Sequence, residues 1–189
     1  MGGSTIKAAI VDDHQELAEY HSKYTTSPPP EQQKWANQYM WELARHTVAE
    51  ELVLYPAFER HLGALGKEVT ARERGEHQVQ KELQYRLERM GHGHAEYNQV
   101  FDRLQQDLAE HVIEEEATID KLEAVLSKAE NEALTQSLEQ TKKFVPTRAH
   151  PGTAQAPPFE TVEALLLAPV DHLKDLFASW PTKEEKKAA

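Results

Sequence analysis

Two histidine–glutamate pairs with the same spacing, His46-x-x-x-Glu50 and His111-x-x-x-Glu115, are the residues of this sequence best suited to chemistry. Side chains four residues apart lie on one face of a helix. Each pair also continues an apolar stripe, so we expect both pairs to point into the protein. An imidazole and a carboxylate buried together are costly unless a partner satisfies them, and a metal ion is such a partner. The pattern therefore predicts a metal site built from two helices.

Composition restricts any metal site to nitrogen and oxygen ligands. The 189 residues include no cysteine, which excludes thiolate catalysis, iron–sulfur clusters and thiolate zinc sites, and they include ten histidines. The net charge of -11 comes without a basic patch of the kind that nucleic-acid binders carry. No apolar run reaches the roughly 20 residues of a membrane span, and no signal-peptide core is visible. We therefore expect a cytoplasmic protein that binds neither nucleic acid nor membranes.

The hydrophobic periodicity is helical almost throughout, and no segment alternates as a strand does. We predict an all-α protein with helices over residues 5–24, 31–63, 70–90, 94–127 and 130–144. Pro56 lies inside the second of these and predicts a kink about one turn past Glu50. Four long helices with mostly short connections predict an up-down-up-down four-helix bundle.

The bundle and the rest of the chain differ in composition. We predict a metal-binding bundle over residues 1–127 and a C-terminal helical extension, residues 128–189, that packs on it. Within the extension, residues 146–158 are predicted to be coil or linker. Residues 161–177 are predicted to form one or two short helices broken at Pro169, and the last residues, 183–189, to be disordered.

Two further histidines fall at matching depths in the predicted bundle. His14 and His77 lie about nine and about seven residues into their helices, whereas the two pairs lie about fifteen to twenty-one residues into theirs. Because neighbouring helices run in opposite directions with a rise of about 1.5 Å per residue, early and late positions meet at one level. Each of the four helices thus supplies a histidine to one candidate site.

The number of candidate ligands suits two ions. Two six-coordinate ions need roughly twelve ligand positions, of which four histidines and two bridging carboxylates fill about eight. A shared oxide or hydroxide would fill two more, which leaves room for one further ligand and for a small molecule at an open position. Nitrogen and oxygen ligation suits iron or manganese, although affinity alone leaves zinc and copper open.

Competing interpretations are weaker. No histidine follows a glutamate by three residues, as ferritin-like di-iron proteins require, and no His-Glu-x-x-His motif of a zinc protease occurs. A structural bundle with satisfied core histidines remains the plain alternative. The remaining histidines are predicted to lie at the surface, in loops or in the tail: His21, His61, His92, His94, His150 and His172.

Residues 5 to about 127 resemble the hemerythrin family, in particular its HHE cation-binding branch. The matching segments are Asp13-His14, Trp41–Glu51 followed by Tyr55-Pro56, Glu76-His77, and His111–Glu116. Segments 144–151, 158–162 and 168–171 resemble an extension common in eukaryotic members. The resemblance implies a non-haem di-iron centre. In it, Glu50 and Glu115 would be the bridging carboxylates, and the terminal ligands would be His14, His46, His77 and His111.

One position departs from the oxygen-carrying members, which have a His-x-x-x-His pair on the third helix. Here Glu73 stands four residues before His77 and is a further candidate ligand. Harder oxygen ligands stabilise oxidised iron, which favours reaction with dioxygen or peroxide over reversible oxygen carriage. We therefore predict a di-iron protein that reacts with dioxygen or peroxide, as an oxidase if a small organic substrate binds. The alternative is a module that binds or senses iron, oxygen or nitric oxide without turnover.

Overall fold

The computed structural model describes residues 5–152 and 159–187. No strand occurs in these ranges, and the all-α prediction is confirmed. A π-helical turn, Glu50–Leu54, joins the second helix to the third. The α-helices are α1 (Ile6–Thr26), α2 (Pro29–Ala49), α3 (Tyr55–Leu62), α4 (Ala64–Met90), α5 (Tyr97–Glu123), α6 (Lys128–Thr141), α7 (Phe159–Asp175) and α8 (Lys183–Lys187).

The helices α1, α2, α4 and α5 form the predicted four-helix bundle. Helix α1 packs against α2 and α5, and α4 packs against α5 and contacts α2. The bundle core consists of two hydrophobic clusters that are separated by a belt of buried polar side chains. One cluster contains Leu17, Tyr24, Tyr39, Leu43, Phe101 and Leu104. The other contains Ile6, Ile10, Leu54, Phe58, Ile119 and Leu122.

The predicted kink at Pro56 takes the form of the π-helical turn, which begins at Glu50 and so lies one turn earlier than expected. The backbone N–H of Tyr55 donates to the carbonyl of Glu50, five residues back. Proline has no N–H to continue the regular ladder, and a wide turn accommodates this loss. Because the turn holds an extra residue, both Glu50 and Glu51 are buried.

Helix α4 begins at Ala64, six residues earlier than the predicted start at residue 70. Gly63 makes the reversal from α3 alone, with a positive φ of 61° that glycine adopts without strain. Gly66 then lies against the carbonyl of Phe58, where any Cβ would overlap the oxygen. The α3–α4 corner is therefore tighter than the predicted turn at residues 63–66, and this close approach sets the position of α4 along the bundle.

The C-terminal extension contacts the bundle at several points. Helix α6 starts with a capping box at Ser127 and packs against α1 and the π-helical turn. Helix α7 continues through Pro169 instead of breaking there, since proline costs one hydrogen bond but keeps a helical φ. Residues 183–187, expected to be disordered, form α8, whose Lys186 reaches Gln38 on α2. Residues 153–158 of the predicted linker, and residues 188 and 189, lie outside the described residues.

None of the helices in the described part of the chain is long and apolar enough to cross a membrane.

Candidate metal centre

All seven predicted ligands converge in the polar belt between the two hydrophobic clusters. Every one of them is at least nine-tenths buried. Each main helix contributes at least one, and the π-helical turn contributes another. They are His14 on α1, His46 on α2, Glu50 on the turn, Glu73 and His77 on α4, and His111 and Glu115 on α5.

One group of ligand atoms lies toward α1 and α2. His14, His46, Glu50 and Glu115 each offer one atom, and these atoms lie within 4.8 Å of one another. The Nε2 atom of His46 is 3.2 Å from Glu50 Oε1, and Nε2 of His14 is 3.4 Å from Glu115 Oε2. Two imidazoles and two carboxylates thus face a common point.

A second group lies toward α4 and α5 and shares the same carboxylates. His77, His111 and Glu50 satisfy the same 4.8 Å criterion. The Nε2 atom of His77 is 3.5 Å from Glu50 Oε2, and Nε2 of His111 is 3.7 Å from Glu115 Oε2. Glu50 turns one oxygen toward each group, and Glu115 contacts a histidine of each. Both carboxylates therefore lie between the two groups, and their role as bridging ligands stays a prediction.

Glu73 lies at the edge of the second group. Its Oε2 atom is 2.8 Å from Nδ1 of His111, the ring nitrogen other than the one that faces Glu115. Its second oxygen accepts from Arg72 at 2.9 Å. Ligand atoms of Glu73, His111 and Glu115 also lie within 4.8 Å of one another. Glu73 is thus within reach of the centre, and its role as a ligand stays a prediction.

A carboxylate holds the Nδ1 atom of every one of these histidines. Such a contact orients the ring, places the proton on Nδ1 and leaves the Nε2 lone pair for a metal. All four Nε2 atoms accordingly face the interior of the cluster. The pairs are His14 with Glu116 at 3.0 Å, His46 with Asp13 at 3.3 Å, His77 with Glu51 at 3.1 Å, and His111 with Glu76 at 2.8 Å.

Two lysines neutralise these outer carboxylates. Lys81 donates to both oxygens of Glu51. Lys142, which follows α6, donates to Asp13 and lies 2.6 Å from Glu42. Glu51, Glu76 and Glu116 thus support the histidines of the centre. The roles of Asp13, Lys81 and Lys142 were missed. Lys81 stands one turn after His77, whereas Lys142 is 129 residues from Asp13 and left no signal in the sequence.

Burial and neighbouring charges shift the pKa values of the candidate ligands in different directions. Burial raises the pKa of Glu50 well above its usual value, and repulsion from Glu115 adds to this. Burial also opposes ionisation of Glu115, but the positive charge of His111 and contacts with His14 hold its pKa below the usual range. Burial lowers the pKa of His77 to about 4, whereas Glu115 and Glu73 overcome burial and raise that of His111 to about 10. The protein alone therefore leaves His77 uncharged and disfavours the ionised form of Glu50.

The donor atoms fit a metal because they lack other partners. Among the described residues, no hydrogen bond reaches Nε2 of His14, Nε2 of His46, or any carboxylate oxygen of Glu50 and Glu115. Leaving one such buried group unsatisfied costs about 1–3 kcal/mol. Several of them aimed at one point are expected where an ion supplies the missing interaction. This set of nitrogen and oxygen donors therefore fits a pair of transition-metal ions.

Tyr55 is a buried neighbour of the second group. Its hydroxyl is 2.9 Å from Nε2 of His77, and its ring stacks on the same imidazole. Burial raises the pKa of the Tyr55 phenol well above its usual value, so the hydroxyl keeps its proton. An ion on His77 Nε2 would take the place of this hydrogen bond, which leaves a phenol O–H beside the ion.

A groove on the α4–α5 face reaches the second group. Its volume is about 260 Å³, and His111 lies in its wall. Gln80, also in the wall, is buried, and neither of its amide atoms has a partner in the described part of the chain. The groove thus ends at His111, which is itself almost fully buried. Its other residues are Glu76, Val79, Arg103, Asp107, Glu110 and Glu114.

In the part of the chain that the structure describes, the remaining histidines belong to none of the candidate metal groups. His21 packs against the ring of Phe101, and Nδ1 of His94 accepts from the Glu96 backbone. His150 lies 2.7 Å from Asp171, within the extension.

This protein is a four-helix bundle whose buried middle layer holds histidines and shared carboxylates. That arrangement is the one expected of a cation-binding helical protein. Residues 5–122 match the family model of the hemerythrin HHE cation binding domain. The chain belongs to the hemerythrin HHE family, which confirms the resemblance drawn from the sequence. It is 42% identical over 178 residues to a protein of the fission yeast Schizosaccharomyces pombe that is named as uncharacterized and hemerythrin-like. That match covers 93% of this chain and 88% of the relative. No solved structure matches the chain.

Proposed function

We propose that this chain holds two iron ions and that the ion pair reacts with dioxygen or peroxide. The observation that carries the proposal is the set of adjoining ligand groups, of which the group with His14 and His46 shares Glu50 with His77 and His111, and shares Glu115 with Glu73 and His111. His14 and His46 would hold one ion. The other would bind His77 and His111, with Glu73 as a candidate additional ligand. A shared oxide or hydroxide would complete the bridge, as coordination numbers require.

Carboxylate content favours reaction over carriage. Three buried carboxylates, those of Glu50, Glu73 and Glu115, lie at the centre. Anionic oxygen ligands stabilise the higher oxidation state of iron more than imidazoles do, so that electron transfer to an oxidant becomes more favourable. Manganese or zinc would fit the same donors, and oxidant reactivity separates iron and manganese from zinc.

Residues around the centre provide a route for a small molecule and a hydrogen-bond donor. The groove on the α4–α5 face admits a small molecule as far as His111. The hydroxyl of Tyr55, next to His77 Nε2, can donate a hydrogen bond to a molecule bound on that side. The hydrophobic clusters above and below exclude water from the rest of the centre. When bound, the ion pair would supply electrons for reduction of the oxidant.

Metal quantification with an optical spectrum tests the proposal. Protein made under iron-replete conditions is expected to hold about two irons per chain, and the anaerobically reduced form should change its spectrum on addition of oxygen or peroxide. A His46→Ala/His111→Ala variant should lose the metal, whereas the matched His21→Ala/His150→Ala variant should keep it. Absence of metal, or metal without an oxygen-dependent change, would contradict the proposal.

Two single variants separate the roles of the residues beside the centre. Glu73→Gln should weaken binding of one ion by at least tenfold and spare the other if Glu73 is a ligand; unchanged binding of both removes it from the ligand set. Tyr55→Phe should keep both irons but slow the spectral change with peroxide. If the spectral change is as fast as in the parent protein, Tyr55 does not donate a hydrogen bond that assists the reaction.

A sensing function is the second candidate, and one contact favours it. Lys142, in the C-terminal extension, binds the same Asp13 carboxylate that orients His46. A change in charge at the centre would reach the extension through this chain of contacts. Iron-dependent protection of residues 146–180 from protease would support sensing, and identical cleavage with and without iron would argue against it.

A further inference from the structure

A second cavity lies between the bundle and the C-terminal extension, away from the metal centre. It has a volume of about 140 Å³ and lies between α2, α4 and residues 147–149 and 175–180 of the extension. Gln84 lies in its wall, two helical turns past His77, or about 10 Å along α4. No candidate metal ligand lines it. It is therefore independent of the proposed iron chemistry.

The walls combine aromatic rings with a buried amide that lacks partners. Trp41 and Trp180 meet edge to face, with ring centroids 6.2 Å apart. Gln84 is only 1% exposed, yet neither its amide nitrogen nor its amide oxygen has a hydrogen-bond partner among the described residues. The same holds for Nε of Arg148. The lining thus includes aromatic surface together with two unused donor atoms and one unused acceptor.

The charged side chains that line the cavity are one arginine and two carboxylates. Arg148 forms ion pairs with Glu88 and with Asp175, the latter at 3.5 Å. Asp175 also accepts from the hydroxyl of Thr147 at 2.7 Å. An anionic ligand would face two carboxylates with a single cation between them, so Coulomb repulsion opposes it. A neutral ligand avoids this repulsion and can still accept from Nε of Arg148.

The size of the cavity limits the ligand to about one ring. A closed protein cavity of about 150 Å³ holds one benzene molecule, and because this cavity is partly open, a small polar substituent on the ring can extend beyond it. We infer that this cavity binds a neutral, planar, single-ring molecule that carries a carboxamide or an equivalent donor–acceptor edge. The ring would lie against the pair of indoles formed by Trp41 and Trp180, without separating them. The amide would pair with both atoms of Gln84, and its carbonyl would also accept from Arg148.

Three probes of similar size test the inference. Benzamide has the ring and the amide, benzoate has the same shape with a negative charge, and toluene lacks the polar edge. Binding is read by titration calorimetry and by tryptophan fluorescence, because two of the three tryptophans line the cavity. Benzamide is expected to bind with a Kd on the order of 1 mM or below, as a fragment of this size can. Benzoate and toluene should bind at least tenfold more weakly.

Variants of two buried glutamines on α4 locate the site. Gln84→Leu should weaken benzamide binding at least tenfold, and Gln84→Glu, which keeps the shape, should do the same. The matched Gln80→Leu variant removes another buried amide from the same helix but outside this cavity, and should leave benzamide affinity unchanged. The inference is overturned if benzamide does not bind, if benzoate or toluene binds as well, or if both leucine variants behave alike. Equal results with metal-free and iron-loaded protein are expected, so a failure of the iron proposal leaves this test intact.

Discussion

Replacing Glu50 with leucine should make the metal-free protein more stable. Glu50 is fully buried, and neither oxygen has a hydrogen-bond partner in the described part of the chain. Burial raises the pKa of this carboxyl well above its usual value, which means that the ionised form is strongly disfavoured without a metal. The residue thus destabilises the metal-free fold and is useful only when ions are bound. Leucine has a similar volume and removes both unpaired oxygens.

The expected gain follows from the cost of an unsatisfied buried polar group. That cost is about 1–3 kcal/mol, and it disappears when the group is replaced by an apolar one of similar shape. Metal-free Glu50→Leu protein should therefore unfold with a free energy about 1–3 kcal/mol larger than that of the parent. For a chain of this length, each kcal/mol corresponds to a rise of about 2–4 °C in Tm.

Iron should reverse this order of stability. An ion present at 100 times its Kd stabilises the folded state by about 2.7 kcal/mol per site. The parent protein gains this from both sites, whereas the Glu50→Leu variant lacks the carboxylate shared by the two groups and gains little. Denaturant unfolding measures the free energy of unfolding of the parent and the variant. It is carried out first with a chelator and then with excess iron(II) under anaerobic conditions. The parent should be the more stable protein only in iron.

Glu42→Leu is the matched control for this experiment. Glu42 is also a buried glutamate, two turns earlier in the same continuous helical segment, but it pairs with Arg45 and Lys142. Its replacement removes a buried carboxylate that both cations share and should destabilise the protein in chelator and in iron alike. If metal-free Glu50→Leu protein loses as much stability as Glu42→Leu protein, Glu50 has partners in the metal-free fold and the reasoning is refuted.

Two further predictions concern how the centre is held. Asp13→Asn should weaken metal affinity about 10- to 100-fold, because the carboxylate that orients His46 is lost. Competition with a coloured chelator measures this affinity. Unchanged affinity would show that the contact is dispensable. Gly66→Ala should lower the free energy of unfolding by about 1–3 kcal/mol, since its Cβ would overlap a backbone carbonyl of α3. In the matched Gly75→Ala variant, the added Cβ has no atom within 4 Å, and the change should stabilise the same helix by about 0.5–1 kcal/mol. Equal effects of the two changes in denaturant titrations would contradict the packing argument.

The candidate ligands were readable from the sequence because helical periodicity is local. A four-residue step assigns His46 with Glu50, and His111 with Glu115, to single helix faces whatever the rest of the chain does. Matching depth then places His14 and His77 at the same level. Absence of cysteine limits the donors to nitrogen and oxygen. These inferences needed only the geometry of one helix and the alternation of helix directions in a bundle.

The lysines that neutralise the outer carboxylates could not be predicted from the sequence, because their ion pairs are contacts between distant segments. Lys142 reaches Asp13 across 129 residues, and its position depends on how α6 packs against α1. The π-helical turn at Glu50 is likewise a compromise between Pro56 and burial of two consecutive glutamates, and periodicity alone predicts only a kink. The tight corner at Gly66 follows from the approach of α4 to α3.

Local pattern thus determined which side chains could bind a metal and at what depth they lie. Packing decided how each imidazole is oriented, which carboxylates stay unpaired, and where the extension encloses a second cavity. The difference is physical: a helix face is specified by neighbours in sequence, whereas the partner of a buried charge is specified by whichever helix packs against it.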